Sequence, residues 1–166
     1  MVDGTDEPVT EPVDTGVEVD PGPEPGAGLV NAVFLGTGAL VATSVAAAIS
    51  PSAFGAVHAA LSIALFVIGT GAMLWAYALG VSRSRTERIT IPGLFFLADG
   101  TAPRATRRAL RIATAVQVVA VVAAASIRPY SEVAFGILAP MFGLGMMGVW
   151  GGRYGVFAPR PLKSDG

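Results

Sequence analysis

The sequence predicts an all-α fold: a four-helix transmembrane bundle preceded by a disordered acidic N-terminal tail. Three observations carry that prediction. The chain of 166 residues is 52% hydrophobic and only 14% charged, with a mean hydropathy of +0.62, which is too apolar for a soluble domain that must surround one core with charge. Charge-free runs long enough to cross a bilayer recur along it. Ten of the eleven basic residues fall in two stretches, Arg83 to Arg111 and Arg153 to Lys163, which flank those runs.

Residues 1–27 hold eight of the twelve acids and no lysine or arginine, together with Pro8, Pro12, Pro21, Pro23 and Pro25. Such a segment cannot bury enough apolar surface to offset its ordering entropy, so it is read as a disordered tail. Its acidic start lacks the basic opening and short apolar core of a secretory signal. The first span follows over residues 28–50. These 23 residues carry no charge, and at about 1.5 Å per residue they exceed a hydrocarbon thickness of about 30 Å. Pro51 ends this run, Pro51 to Phe54 form a short turn, and a second span covers residues 55–81, with Trp75 and Tyr77 near its far end at headgroup level. Two spans joined so closely make an antiparallel hairpin.

A basic loop occupies residues 82–104. Within it Ile89 to Ala98 is apolar but only ten residues long and broken by Pro92 and Gly93, so it lies in the interface or packs under the bundle. The third span covers residues 105–127, with Arg111 snorkelling from its first turns. A turn containing Pro129 and Tyr130 leads into the fourth span, residues 133–150, which Pro140 should kink by freeing the carbonyl of Gly136. Residues 153–166 form a short basic tail. Both basic segments are expected on the cytoplasmic side, which puts the N- and C-termini in the cytoplasm and leaves Arg128 outside. The implied location is the cell (plasma) membrane.

Small residues repeat at spacing four: Gly38, Ala42, Ala46 and Ser50; Ala72, Ala76 and Gly80; Gly148 and Gly152. These stripes are expected to pack the helices against one another. Charged residues are missing from the middle of every span, so the candidate polar positions are few. Gln117 is expected to bond a neighbouring helix. His58 stands near the outer end of the second span, where Tyr130 and Glu132 from the other outer turn complete a candidate polar cluster. In the loop, Pro103 suits a first helical turn, and Arg104, Arg107, Arg108 and Arg111 follow at offsets that place them on one face, suited to anionic lipid headgroups.

Nothing in the chain has the residue types and spacing of a catalytic site. One histidine with one glutamate makes no metal site, and the chain has no cysteine. The glycines of GTGAL and GLGMMG lie inside apolar helices rather than between strand and helix, so neither a phosphate cradle nor another cofactor site is indicated. Membrane topology accounts for the arginines, so no nucleic-acid partner is expected. The expected partners are the lipid bilayer, including anionic lipids, other membrane proteins, and copies of the chain itself.

The arginine-rich, lysine-poor style, with its acidic proline-containing start and the ending AFGILAPMFGLGMMGVWGGRYGVFAPR, resembles small uncharacterised four-span membrane proteins of actinobacteria. That resemblance of style spans the whole chain, implies the topology and assigns no activity. Small proton-coupled multidrug exporters also have four spans but depend on a glutamate in the first, and Gly28 to Ser50 has none. The sequence therefore favours a non-catalytic accessory or scaffold subunit of a membrane complex, with a small oligomeric transporter or channel as the alternative.

Overall fold

The structure, a computed structural model, describes residues 25–127 and 129–160. The expected tail up to Glu24, together with Arg128 and Lys163, lies outside the described residues. Four segments are long and apolar enough to cross a membrane: α1 (Ala27–Ile49), α2 (Pro51–Arg83), α4 (Arg104–Ile127), and the stretch Glu132–Tyr154. Between α2 and α4 lies a short helix, α3 (Ile91–Phe96).

The turn between the first two spans is shorter than the expected four residues. Only Ser50 leaves helical geometry, at φ −132° and ψ 80°. Pro51 then opens α2, because a first helical position needs no N–H and fits the fixed proline φ. The backbone N–H groups of Ala53 and Phe54 bond the Ser50 carbonyl at 3.2 and 3.0 Å, so Pro51 to Phe54 are α2's first turn. At 33 residues, α2 is about 50 Å long and must extend past the hydrocarbon layer.

The fourth span is broken rather than kinked, a correction to the expected continuous helix. Glu132–Leu138 is a 3₁₀ helix, and α5 begins afresh at Met141–Tyr154. Pro140 has no N–H for the Gly136 carbonyl, and that carbonyl accepts from Ala139 at 2.9 Å instead. This i→i+3 bond tightens the chain into 3₁₀ form, and Pro140 becomes the residue that caps α5.

The spans form a ring in which α1 neighbours α2 and α4, and the fourth span neighbours α2 and α4. Helices α1 and α4 run parallel, their far ends meeting where Ala47 and Ala124 bury against Val133. Helices α2 and α5 also run parallel and approach closely. A Cβ on Gly69 would strike the backbone of Phe142, and one on Gly145 would strike the carbonyl of Gly69. At the other end of the seam a Cβ on Gly152 would meet Leu79 Cβ at 3.0 Å. The stripes on α2 and α5 thus pack as expected. The α1 stripe does not: Gly38 and Ala42 are exposed, and α1 buries Val33, Thr37, Leu40, Ser44 and Ala47. In lipid, apolar residues of any size can face outward, so small size alone does not mark the inner face.

At the basic end, the Thr90 hydroxyl accepts from the Gly93 N–H at 3.0 Å and starts α3. Leu94 and Phe95 are buried, and the Phe95 ring lies where a Cβ on Gly148 would stand, 2.6 Å away. The apolar segment Ile89 to Ala98 therefore packs against the bundle by fitting the glycine face of α5. The chain before α3 is tied to the last described residues by Arg88 N–H to the Ala158 carbonyl and Arg160 N–H to the Thr86 carbonyl, both at 2.9 Å. Trp150 Nε1 donates to the Pro25 carbonyl at 3.3 Å, which pins the start of α1 to the end of α5.

Candidate functional site: a buried polar file and a basic helix face

Helical spacing brings six polar side chains into the bundle interior: Thr37 and Ser44 from α1, His58 and Ser62 from α2, and Thr114 and Gln117 from α4, all buried. His58 and Ser62, four residues apart, share one face of α2. Gly136 of the 3₁₀ helix brings the outer level together, since a Cβ there would stand 2.6 Å from His58 Nε2 and 3.4 Å from Val121 Cγ1. One turn deeper, Ser62 lies below His58 and Gln117 below Val121. Gly143 closes that level: a Cβ on it would strike Thr114 Oγ1 and come within 3.0 Å of Gln117 Oε1.

Part of this file is satisfied by hydrogen bonds. Gln117 Nε2 donates to Thr37 Oγ1 at 2.7 Å, and Thr37 in turn donates to the Val33 carbonyl at 2.7 Å. This joins α4 to α1, the kind of bond expected of Gln117 from the sequence. Thr114 Oγ1 bonds the Leu110 carbonyl at 3.0 Å. His58 Nδ1 and Thr43 Oγ1 share a hydrogen bond of 3.3 Å. His58 also hydrogen-bonds the backbone of Val133. Three polar atoms of the file have no partner among the described residues: Ser44 Oγ, Ser62 Oγ and Gln117 Oε1. Buried polar atoms left in that state cost free energy, and such positions are ordinarily bridged by ordered water or by a ligand.

The candidate cluster of His58, Tyr130 and Glu132 does not form. Tyr130 is fully exposed, no ion pair joins His58 to Glu132 among the described residues, and Glu132 Oε2 instead lies 3.4 Å from where a Cβ on Gly55 would stand. The lengthened α2 explains the difference. His58 is the eighth residue of the helix, about 10 Å along its axis from Pro51, so it sits below the turns and faces Thr43.

On α4 the four arginines divide. Arg111 donates to the Phe96 carbonyl from Nε at 2.9 Å and Nη2 at 2.6 Å, closing the end of α3. Arg104, Arg107 and Arg108 make no side-chain hydrogen bond or ion pair within the described residues. Arg104 and Arg108 are exposed and Arg107 is half-buried.

Sequence reasoning missed Arg83, counted there only among the topological charges. Its guanidinium donates to the carbonyls of Gly152 and Gly155, each at 3.0 Å, which are exposed by the end of α5. It also pairs with Glu87 at 2.9 Å and stands 5.3 Å from the centre of the Phe157 ring. A helix-end arginine four residues before the loop's glutamate was the available signal.

Comparison with protein families, with curated proteins and with solved structures finds no significant match to this chain. Four helical segments are long and apolar enough to cross a membrane, and the file places hydrogen-bonding groups in the interior of the bundle they form.

Proposed function

We propose that the chain is a non-catalytic accessory or scaffold subunit of a plasma-membrane complex, with both termini in the cytoplasm. The observation that carries this reading is the basic face of α4. A helix of 24 residues, anchored through Gln117 and Arg111, carries Arg104, Arg107 and Arg108, none of which has a side-chain partner among the described residues. Three guanidinium groups fixed on one face suit an acidic protein segment or an anionic surface. The acidic start of the chain, on the same side by span parity, supplies a second charged segment of opposite sign.

The test is affinity purification of the tagged protein from its own membranes in a mild detergent, with quantitative mass spectrometry. A membrane partner is expected in stoichiometric amount and should be lost from the Arg104→Gln/Arg107→Gln/Arg108→Gln variant. A bundle that purifies alone from native membranes overturns the reading.

The unpartnered atoms of Ser44, Ser62 and Gln117 favour a second reading, a small oligomeric transporter or channel whose path follows the polar file. Flux in reconstituted vesicles that disappears on Gln117→Leu, with the bundle still folded, would support it. Equal flux from both proteins would remove it.

A further inference from the structure

A groove of about 480 Å³ runs along the outer flank of the α2–α5 seam, lined by Thr70, Leu74, Tyr77, Phe95, Phe96 and Met141 among others. Apart from Thr70, whose hydroxyl is buried, and the Tyr77 ring, its walls are hydrocarbon and sulfur. It continues past Tyr77 and Phe95 into a second hollow of about 180 Å³ that reaches Ser84 and Ile89. Arg85 and Arg88 stand next to those two mouth residues in the chain. Both are exposed, and neither side chain has a hydrogen bond or ion pair among the described residues.

We propose that this groove takes one acyl chain of an anionic phospholipid from the leaflet at the basic end, with the lipid phosphate held by Arg85 and Arg88. Length supports this occupant. From Ser84 to Thr70 is about 21 Å along α2, enough to run from headgroup level past the middle of a hydrocarbon layer about 30 Å thick. Chemistry supports it as well, because the apolar stretch lies at acyl depth while the unpaired basic groups stand at the headgroup level, where each adds attraction for anionic lipid. The wall is rigid: α3 is fixed by the fit of Phe95 on Gly148 and by Arg111 on the Phe96 carbonyl. The site rests on the chain spanning a membrane and is independent of any protein partner, since it uses none of Arg104, Arg107 and Arg108.

Native mass spectrometry tests it, using the full chain in nanodiscs of equal phosphatidylglycerol and phosphatidylcholine with identical acyl chains. One phosphatidylglycerol per chain should survive activation that strips the surrounding lipid, with a preference of roughly thirtyfold, what two basic groups near the surface contribute together. Arg85→Gln/Arg88→Gln should remove the preference. Leu74→Trp, at an exposed groove position, should lower retention of both lipids. The triple variant at Arg104, Arg107 and Arg108 should keep the lipid, which separates this site from the proposed partner face. Equal retention of the two lipids, no retained lipid, or a groove closed by a second copy of the chain would each overturn the proposal.

Discussion

Gln117 donates to Thr37 Oγ1 while its own Oε1 has no partner, so the two ends of one bond should respond differently to substitution. Gln117→Leu removes a donor, its bond and an unsatisfied acceptor together. Thr37 keeps its bond to the Val33 carbonyl, and the change should stay within about 1 kcal/mol of neutral, as interhelical bonds in membranes average about 0.6 kcal/mol. Thr37→Val instead strands the buried amide donor of Gln117 and should cost about 1–3 kcal/mol. Reversible unfolding in mixed micelles measures both, and a Gln117→Leu protein less stable than Thr37→Val would contradict the assignment. Arg83 shows the same logic at a helix end, where the groups it satisfies are the carbonyls of Gly152, in the last turn of α5, and of Gly155, just past its end. A charge that topology alone would explain is also part of the packing.

The seam of α2 and α5 makes the clearest prediction among the elements, because two glycines of equal propensity stand in opposite surroundings. Gly145→Ala places a methyl group against the Gly69 carbonyl, a backbone atom that cannot turn aside. Overpacking of this kind should cost about 1–3 kcal/mol and lower the thermal midpoint in detergent. Gly38→Ala meets nothing within 4 Å and should gain up to about 1 kcal/mol from helix propensity; matching midpoints for the two variants would refute the seam. Which glycine belongs to which class could not be read from spacing, since Gly38 begins a stripe as regular as the one that contains Ala76. Charge-free runs made α1, α2 and α4 legible to within a few residues, with α4 starting at Arg104, one residue before the expected span and just after Pro103 rather than at it. The break at Pro140 was misread as a kink, because the choice between a bent α-helix and a 3₁₀ turn depends on what the freed carbonyl finds, here the Ala139 N–H. The polar file was half legible for a related reason. Gln117 announced itself as the amide in an apolar helix, whereas the pairing of His58 depended on α2 beginning at Pro51.

For the whole molecule, the disposition of charge makes a claim about sides that one experiment decides. The ends of α2 and α5 meet where Arg83 bonds Gly152 and Gly155, and α1 starts beside Trp150, so the N-terminal segment, the loop between α2 and α4 and the C-terminal segment all leave the bundle at one end. The turns at Ser50 and Tyr130 lie at the other end. The excess of arginine at the first end should hold it in the cytoplasm, since basic residues near span ends are retained there. The chain contains no cysteine, so single cysteines report without background. Thr10→Cys, Thr86→Cys and Ser164→Cys should resist a membrane-impermeant maleimide in intact cells and react once the cells are opened. Tyr130→Cys, at a fully exposed side chain, should react in both conditions. Labelling of the first three with protection of position 130 would invert the bundle and move the basic face of α4 away from any cytoplasmic partner. Opposite labelling of positions 10 and 164 would mean an odd number of crossings, which the bond from Trp150 near the end of α5 to Pro25 before α1 does not allow.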